Sequence, residues 1–261
     1  MGEALVKGLL EKKRVSRQNL WVGEAHSGRR AFLRRRYGVR VHADNRAIAR
    51  RCDLLILAVK PQEFPTLFEQ LGSLQKRKRV LSIAAGIPTR RIEEALGKIP
   101  VVRAMPNLAA RVGGSITALS KGRFAKGSHL KEAEAVFQSV GRVVVVPERK
   151  LDAVTALSGS GPAYVAYLAK VLMEAGGEIG LSRSLTRQLV LQTFLGSSRY
   201  LLEEKIHPDL FIRKVASKGG TTEAALKVLK EGNLSQLFHR ALRAAKRRSK
   251  QLSRRRDVRP R

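Results

Sequence analysis

The chain is short of cysteine, aromatic residues, acidic charge and long apolar runs, and each shortage removes a class of protein. One cysteine, Cys52, excludes an internal disulfide framework. The histidines, His26, His42, His129, His207 and His239, show no metal-ligand spacing, so no metal is expected. No window approaches the roughly 18 to 20 uninterrupted apolar residues of a membrane span, and the start lacks the basic, apolar, small-residue order of a secretory signal. The cytoplasm is the default compartment, with no membrane partner. Acidic residues number 21 against 52 lysines and arginines, a net charge of +31, while aromatics make up only 5%. A surface this basic attracts nucleic acid or anionic membrane without sequence preference. With its charge spread widely and no RNA-binding motif, it reads as a solvated basic surface, with no specific nucleic-acid partner. The densest runs are Arg34-Arg35-Arg36 and the stretch from Arg240 to Arg261.

What is present is 43% hydrophobic content over 261 residues, enough for a sizeable core in one large domain or two small ones. Residues 1–147 alternate helix and strand, the pattern of a parallel sheet covered by helices. Helices are expected over 4–10, 29–37 (closed by Gly38), 46–51 (capped by Asp44), 90–97 and 130–139. Strands are expected over 20–23, 39–41, 54–59, 80–84, 101–104 and 143–146, the apolar run 54–59 being suited to burial on both faces. Trp21 and Cys52 are expected in the core. From 148 to 250 almost everything has helical spacing, with breaks at Gly159–Pro162, Gly176-Gly177, His207-Pro208 and Gly219-Gly220. Val154, Leu157, Tyr164, Leu168, Val171 and Leu172 recur at three- and four-residue intervals, a wide apolar face of the kind that packs against another subunit. The fold class is therefore α/β, a Rossmann-like parallel-sheet domain (1–147) followed by an all-helical domain (148–250) and a basic, disordered tail (251–261).

Four segments carry the chemistry. Ala58-Val59-Lys60-Pro61-Gln62 stands at the carboxyl end of a strand, where open parallel sheets place their ligands. Arg103-Ala104-Met105-Pro106-Asn107 follows another strand. The third runs from Asp152 to Tyr164 and contains Leu157-Ser158-Gly159-Ser160-Gly161-Pro162. The fourth is Ser217-Lys218-Gly219-Gly220-Thr221-Thr222. Its two glycines permit a tight turn into a helix, so free N–H groups and the positive end of the helix dipole converge on a place that suits a carboxylate. An ordinary capped helix start is the plain alternative.

In this order and spacing the four segments resemble the pyrroline-5-carboxylate reductase family, from residue 1 to about 250. The resemblance implies reduction of 1-pyrroline-5-carboxylate, a cyclic imino acid, to L-proline by hydride transfer from NADPH (or NADH), in a homodimer or a ring of dimers. It places the substrate carboxylate on Ser217 and on the loop Gly219, Gly220, Thr221 and Thr222, with the Thr222 hydroxyl at the ring nitrogen as the catalytic group. It lines the cofactor's path with Gly2, Ala58, Val59, Lys60, Pro61 and Ala85, with Asn45 near the adenosine ribose and Asn107 near the nicotinamide. A protonated imine is already electrophilic, so positioning and exclusion of water matter more than a strong general acid.

The chain also departs from the family pattern. Met1-Gly2-Glu3-Ala4-Leu5 matches only the last two positions of G-x-G-x-x-G and the helix behind it, with Gly2 as the third glycine. The strand before it is missing, so the strands at 20–23 and 54–59 are expected to face each other across a gap. A start roughly ten or more residues upstream would supply the missing strand. Lys218 stands where proline is usual, Leu108-Ala109 replaces Thr-Pro, and Lys205 takes an acidic position. Glu24 favours the ribose diol of NAD, whereas His26, Arg29 and Arg30 stand close enough for a 2′-phosphate. Two other readings remain open: a related imine or oxo-acid reductase, and a degenerate non-catalytic relative.

Overall fold

The structure, a computed structural model, describes residues 1–254, so the expectation of a disordered tail falls mostly outside the described residues; positions 251–254 continue the last helix. The chain forms two compact units, one of residues 1–162 with the segment from Ala245, the other of residues 163–244.

The first unit runs α1 (Gly2–Glu11), β1 (Trp21–Gly23), α2 (Ser27–Tyr37), β2 (Arg40–His42), α3 (Asn45–Arg51), β3 (Leu54–Leu57), α4 (Phe64–Leu71), β4 (Arg79–Ser82), α5 (Thr89–Leu96), β5 (Val101–Met105), β6 (Ser115–Lys121), α6 (Gly127–Phe137), β7 (Gly141–Val145) and α7 (Leu151–Val154). Local chemistry fixes several ends. Asp44 Oδ1 accepts the N–H groups of Arg46 (2.8 Å) and Ala47 (3.2 Å) and caps α3. Gly38, at φ +65°, closes α2 in the left-handed region that a side chain would disfavour.

Strands β3-β4-β5-β6-β7 form one sheet in that order, all pairs parallel except β5–β6, while β1 and β2 pair in parallel as a separate two-stranded sheet. Alternation along the strands sends side chains to two cores. On one face Leu81, Val102 and Leu119 meet Leu5 and Leu9 of α1 and Phe137 of α6; on the other Leu55, Val80 and Val101 meet Phe64 and Leu67 of α4 and Ile92 and Leu96 of α5. Each such fully buried side chain stabilises by about 1.5–3 kcal/mol.

Several expectations need correction. Strand β6 and helix α4 were not foreseen. In β6 the buried positions include Ser115, Thr117 and Ser120, and these polar residues hide the strand pattern. Ser120 Oγ donates to Val146 O at 2.7 Å, so burying it leaves no donor unmatched. Leu54 and Ile56 are only partly buried, because β3 is the edge of its sheet. Trp21 and Cys52 are half-buried, not core. The Trp21 ring lies under the guanidinium groups of Arg40 (5.0 Å) and Arg51 (5.4 Å), which shield part of it from solvent.

The second unit comprises most of α8 (Gly161–Glu178), α9 (Arg183–Glu203), α10 (Pro208–Val215), α11 (Thr221–Glu231) and the first half of α12 (Leu234–Arg254). Gly176-Gly177 does not break α8. A Cβ on Gly176 would lie 2.6 Å from Thr186 Cγ2, so this glycine serves the close approach of α9, and the chain turns only at Gly180, φ +92°. Among residues 163–244 only Ala169 and Thr186 are buried, while Val171, Leu172, Leu189, Leu195 and Leu202 are exposed.

Candidate functional site

The expected cofactor residues all fall in the first unit, and all but Gly2 follow the carboxyl ends of strands. Ala58, Val59, Lys60 and Pro61 follow β3, Ala85 stands in the turn after β4 beside Gly86 (φ +75°), and Asn107 follows β5. Gly2, the first residue of α1, would place a Cβ only 3.3 Å from that of Ala58, so the helix start and the end of β3 approach nearly backbone to backbone. A side chain on Gly2 would therefore press on Ala58. Asn45 opens α3; its Oδ1 sits so tightly against Gly23, at the end of β1, that no Cβ would fit there, and its Nδ2 donates to Gln70 Oε1 at 2.7 Å. Lys60 is exposed just after β3, and its backbone N–H donates to Glu63 Oε2 at 3.2 Å.

Asn107 is less free than the sequence suggested. Its Oδ1 accepts the N–H of Ala109 (3.2 Å), its Nδ2 donates to Ser158 Oγ (3.3 Å), and its backbone N–H donates to Ser115 Oγ (3.2 Å). The second and third segments are thereby joined: Ser158 belongs to the π-helical turn Thr155–Gly159, and a Cβ on Gly159 would lie 2.6 Å from Met105 Cε.

A polar network beneath this edge was not anticipated. Glu148 accepts the backbone N–H (2.9 Å) and Oγ1–H (2.7 Å) of Thr89, which starts α5, and pairs with Arg103 Nη1 at 3.3 Å. The Arg103 side chain is only 6% exposed. Asp152 Oδ1 accepts from Ser249 Oγ of α12 at 2.7 Å. Nothing local signals these bonds, since they span 45 to 97 residues of sequence. At the start of α1, Glu3 accepts from Tyr37 Oη (2.7 Å) and pairs with Arg29; these partners, Tyr37 first, hold its carboxyl below the usual range.

The expected substrate residues lie in the second unit. Gly219 has φ +71°, the N–H of Gly220 donates to Ser217 O at 3.0 Å, and Ser217 Oγ lies directly against Gly220, where no Cβ would fit. Gly220 begins α11 without a side-chain cap, and the first intrahelical bond in this turn is Ala224 N–H to Gly220 O at 3.2 Å. The N–H groups of Thr221 and Thr222 therefore have no acceptor within the helix. Thr221 is exposed and Thr222 half-buried. Glu223 Oε2 accepts the N–H of Gly219 at 2.6 Å, a reach-back legible as the acid three residues after the cap. Two open clefts, about 460 Å³ between α1 and α2 and about 440 Å³ along α9, are not lined by any of the expected residues.

Comparison with known proteins gives two family matches: residues 148–252 fit the pyrroline-5-carboxylate reductase dimerisation family, and residues 1–86 fit NADP oxidoreductases described as coenzyme F420-dependent. The pyrroline-5-carboxylate reductase of Synechocystis is 40% identical over 97% of this chain and 94% of its own length. Pyrroline-5-carboxylate reductase 1 of Bacillus subtilis is 34% identical over 97% of this chain and 86% of its own. Among solved structures, that of a pyrroline-5-carboxylate reductase from Coxiella burnetii superposes with a TM-score of 0.90 at 36% identity, covering 97% of this chain and 94% of that one. The Plasmodium falciparum pyrroline carboxylate reductase with NADP bound gives 0.87 at 28% identity, with the same coverage of both chains.

Proposed function

The chain belongs to the pyrroline-5-carboxylate reductase family, and we propose that it reduces 1-pyrroline-5-carboxylate to L-proline with NAD(P)H. The observation that carries this reading is the turn at 217–222, whose uncapped N–H groups and adjacent Ser217 hydroxyl suit a single carboxylate.

The reduced nicotinamide supplies a hydride to the imine carbon, and the ring nitrogen ends as the amine. Ser217 and the amides of Gly220 to Thr222 hold the substrate carboxylate, and the Thr222 hydroxyl touches the ring nitrogen, orienting the imine. Residues 1–147 form the dinucleotide domain: Gly2 and Ala58 leave room for phosphates, Lys60 offers them a point charge, and Asn45 stands at the adenosine ribose. Ala85 and Pro61 line the path, and Asn107 stands near the nicotinamide, its side-chain amide held in place by Ala109 and Ser158. Residues 148–250 form the substrate and dimerisation domain of a homodimer, which can assemble into a ring of dimers. The protein acts in the cytoplasm, with no specific nucleic-acid partner. Among the described residues no helix is long and apolar enough to cross a membrane.

The test is NADH and NADPH oxidation with 1-pyrroline-5-carboxylate, run on the wild type, Thr222→Ser and Thr222→Ala. Losing the hydroxyl should lower kcat about 10²-fold or more, with partial recovery in Thr222→Ser. Turnover of other cyclic imines or oxo-acids in preference would point to a related reductase. No turnover by a folded dimer would leave a non-catalytic relative.

A further inference from the structure

We infer that Glu24 makes this chain an NADH-preferring member of its family. The inference rests on the dinucleotide reading above and concerns which of two cofactors that site selects.

Glu24 follows β1 directly and stands 22 residues after Gly2, the place in a dinucleotide fold where one side chain meets the 2′ position of the adenosine ribose. NAD presents a diol there, two donors that a carboxylate accepts. NADP presents a phosphate carrying nearly two negative charges, which a carboxylate repels unless cations stand beside it.

Three basic groups follow within six residues, and by sequence alone they could serve that phosphate. The structure gives two of the three basic side chains, Arg29 and Arg30, partners of their own. Arg29 is ion-paired with Glu3 of α1. Arg30 Nη1 turns back onto the loop, donating to the carbonyl of Glu24 at 3.1 Å and to that of Ala25. The backbone N–H of His26 donates to Glu24 Oε1 at 3.0 Å. The loop thus folds its own donors onto Glu24. The N–H of Glu24 also donates to His42 O at 3.1 Å, which keeps the residue at the strand end. Its second oxygen, Oε2, makes no hydrogen bond among the described residues and is the acceptor left for the ribose.

The test measures dissociation constants for NADH and NADPH separately, by the fluorescence of the bound nicotinamide, on the full chain and on Glu24→Ser and Glu24→Gln. Wild type should bind NADH about tenfold or more tightly than NADPH. Both substitutions should shrink that ratio about tenfold, Glu24→Ser by strengthening NADPH as well as weakening NADH. Raising the salt concentration should narrow the wild-type ratio, since screening weakens the repulsion of the phosphate. A wild type that prefers NADPH, or a ratio that neither substitution changes, overturns the inference and leaves the reductase reading intact. If neither nucleotide binds, the dinucleotide reading fails and this inference with it.

Discussion

Replacing Glu148 by alanine removes one carboxylate from three bonds at once, and the cost can be worked from its partners. Arg103, 6% exposed on its side chain, would keep its charge in the interior with no counter-ion. Removing one member of a buried pair costs about 3–5 kcal/mol. Glu148 is itself 29% exposed, which lets some water reach Arg103 and brings the electrostatic share to the lower end of that range. The start of α5 loses its acceptor for the Thr89 N–H and hydroxyl, worth about 0.5–2 kcal/mol. The sum, about 3.5–5 kcal/mol, is a large part of the 5–15 kcal/mol typical of a whole domain. The expected fall in Tm is about 7–20 °C. Trp21, the one tryptophan of the chain, lies in the first unit and reports its urea unfolding by fluorescence. Glu148→Gln, which keeps one oxygen for Thr89, should fall between, and Arg103→Met should recover part of the loss in Glu148→Ala. A Glu148→Ala midpoint equivalent to less than about 0.5 kcal/mol, the scatter of ordinary surface changes, would refute the assignment of this network to stability.

Gly176→Val should destabilise the helical unit by about 1–3 kcal/mol through collision with Thr186, read as loss of helical circular dichroism at lower temperature; Gly176→Val combined with Thr186→Ala should recover part of it. Glu3 tests pH dependence. Its carboxyl is lowered from 4.5 by Tyr37 and Arg29, so its contribution is complete above about pH 4.5 and disappears as the pH falls through the lowered value. Glu3→Gln should therefore cost about 1 kcal/mol at neutral pH, discounted because Arg29 is 40% exposed, and nothing in strong acid. A gap that persists in acid would contradict the assignment. With Thr222 and Glu24, these substitutions probe the stability, chemistry and cofactor choice of the chain independently.

Much of the fold could be read from local signals because those signals are strong here. Asp44 caps where it was expected to, Gly38 ends α2, and the apolar run after Cys52 is a strand. Strand β6 was missed because period-two hydrophobicity fails where a strand buries serine and threonine, here satisfied by bonds to Asn107, to Val146 and to each other. Gly176 was misread because glycine signals both a turn and a close approach of helices, and only the neighbour, ten residues on, decides between them. The site residues were legible as sequence blocks, yet their bonds were not. That Asn107 spends its amide on Ala109 and Ser158, and that Glu148 serves Thr89 and Arg103, are facts of tertiary placement with no local trace.

A helical unit of some eighty residues that buries only Ala169 and Thr186 has almost no interior of its own. Its exposed leucines on α8 and α9, in a stretch that matches a dimerisation family, are the surface a second copy would cover, so folding of this half is expected to be coupled to association. Dilution then acts as a denaturant. The midpoint of the helical transition should rise with protein concentration, while that of the sheet unit, followed through Trp21, should move far less. For such a protein the level of expression sets the fraction folded, and a substitution on α8 or α9 that leaves each chain's own contacts untouched can still empty the folded state.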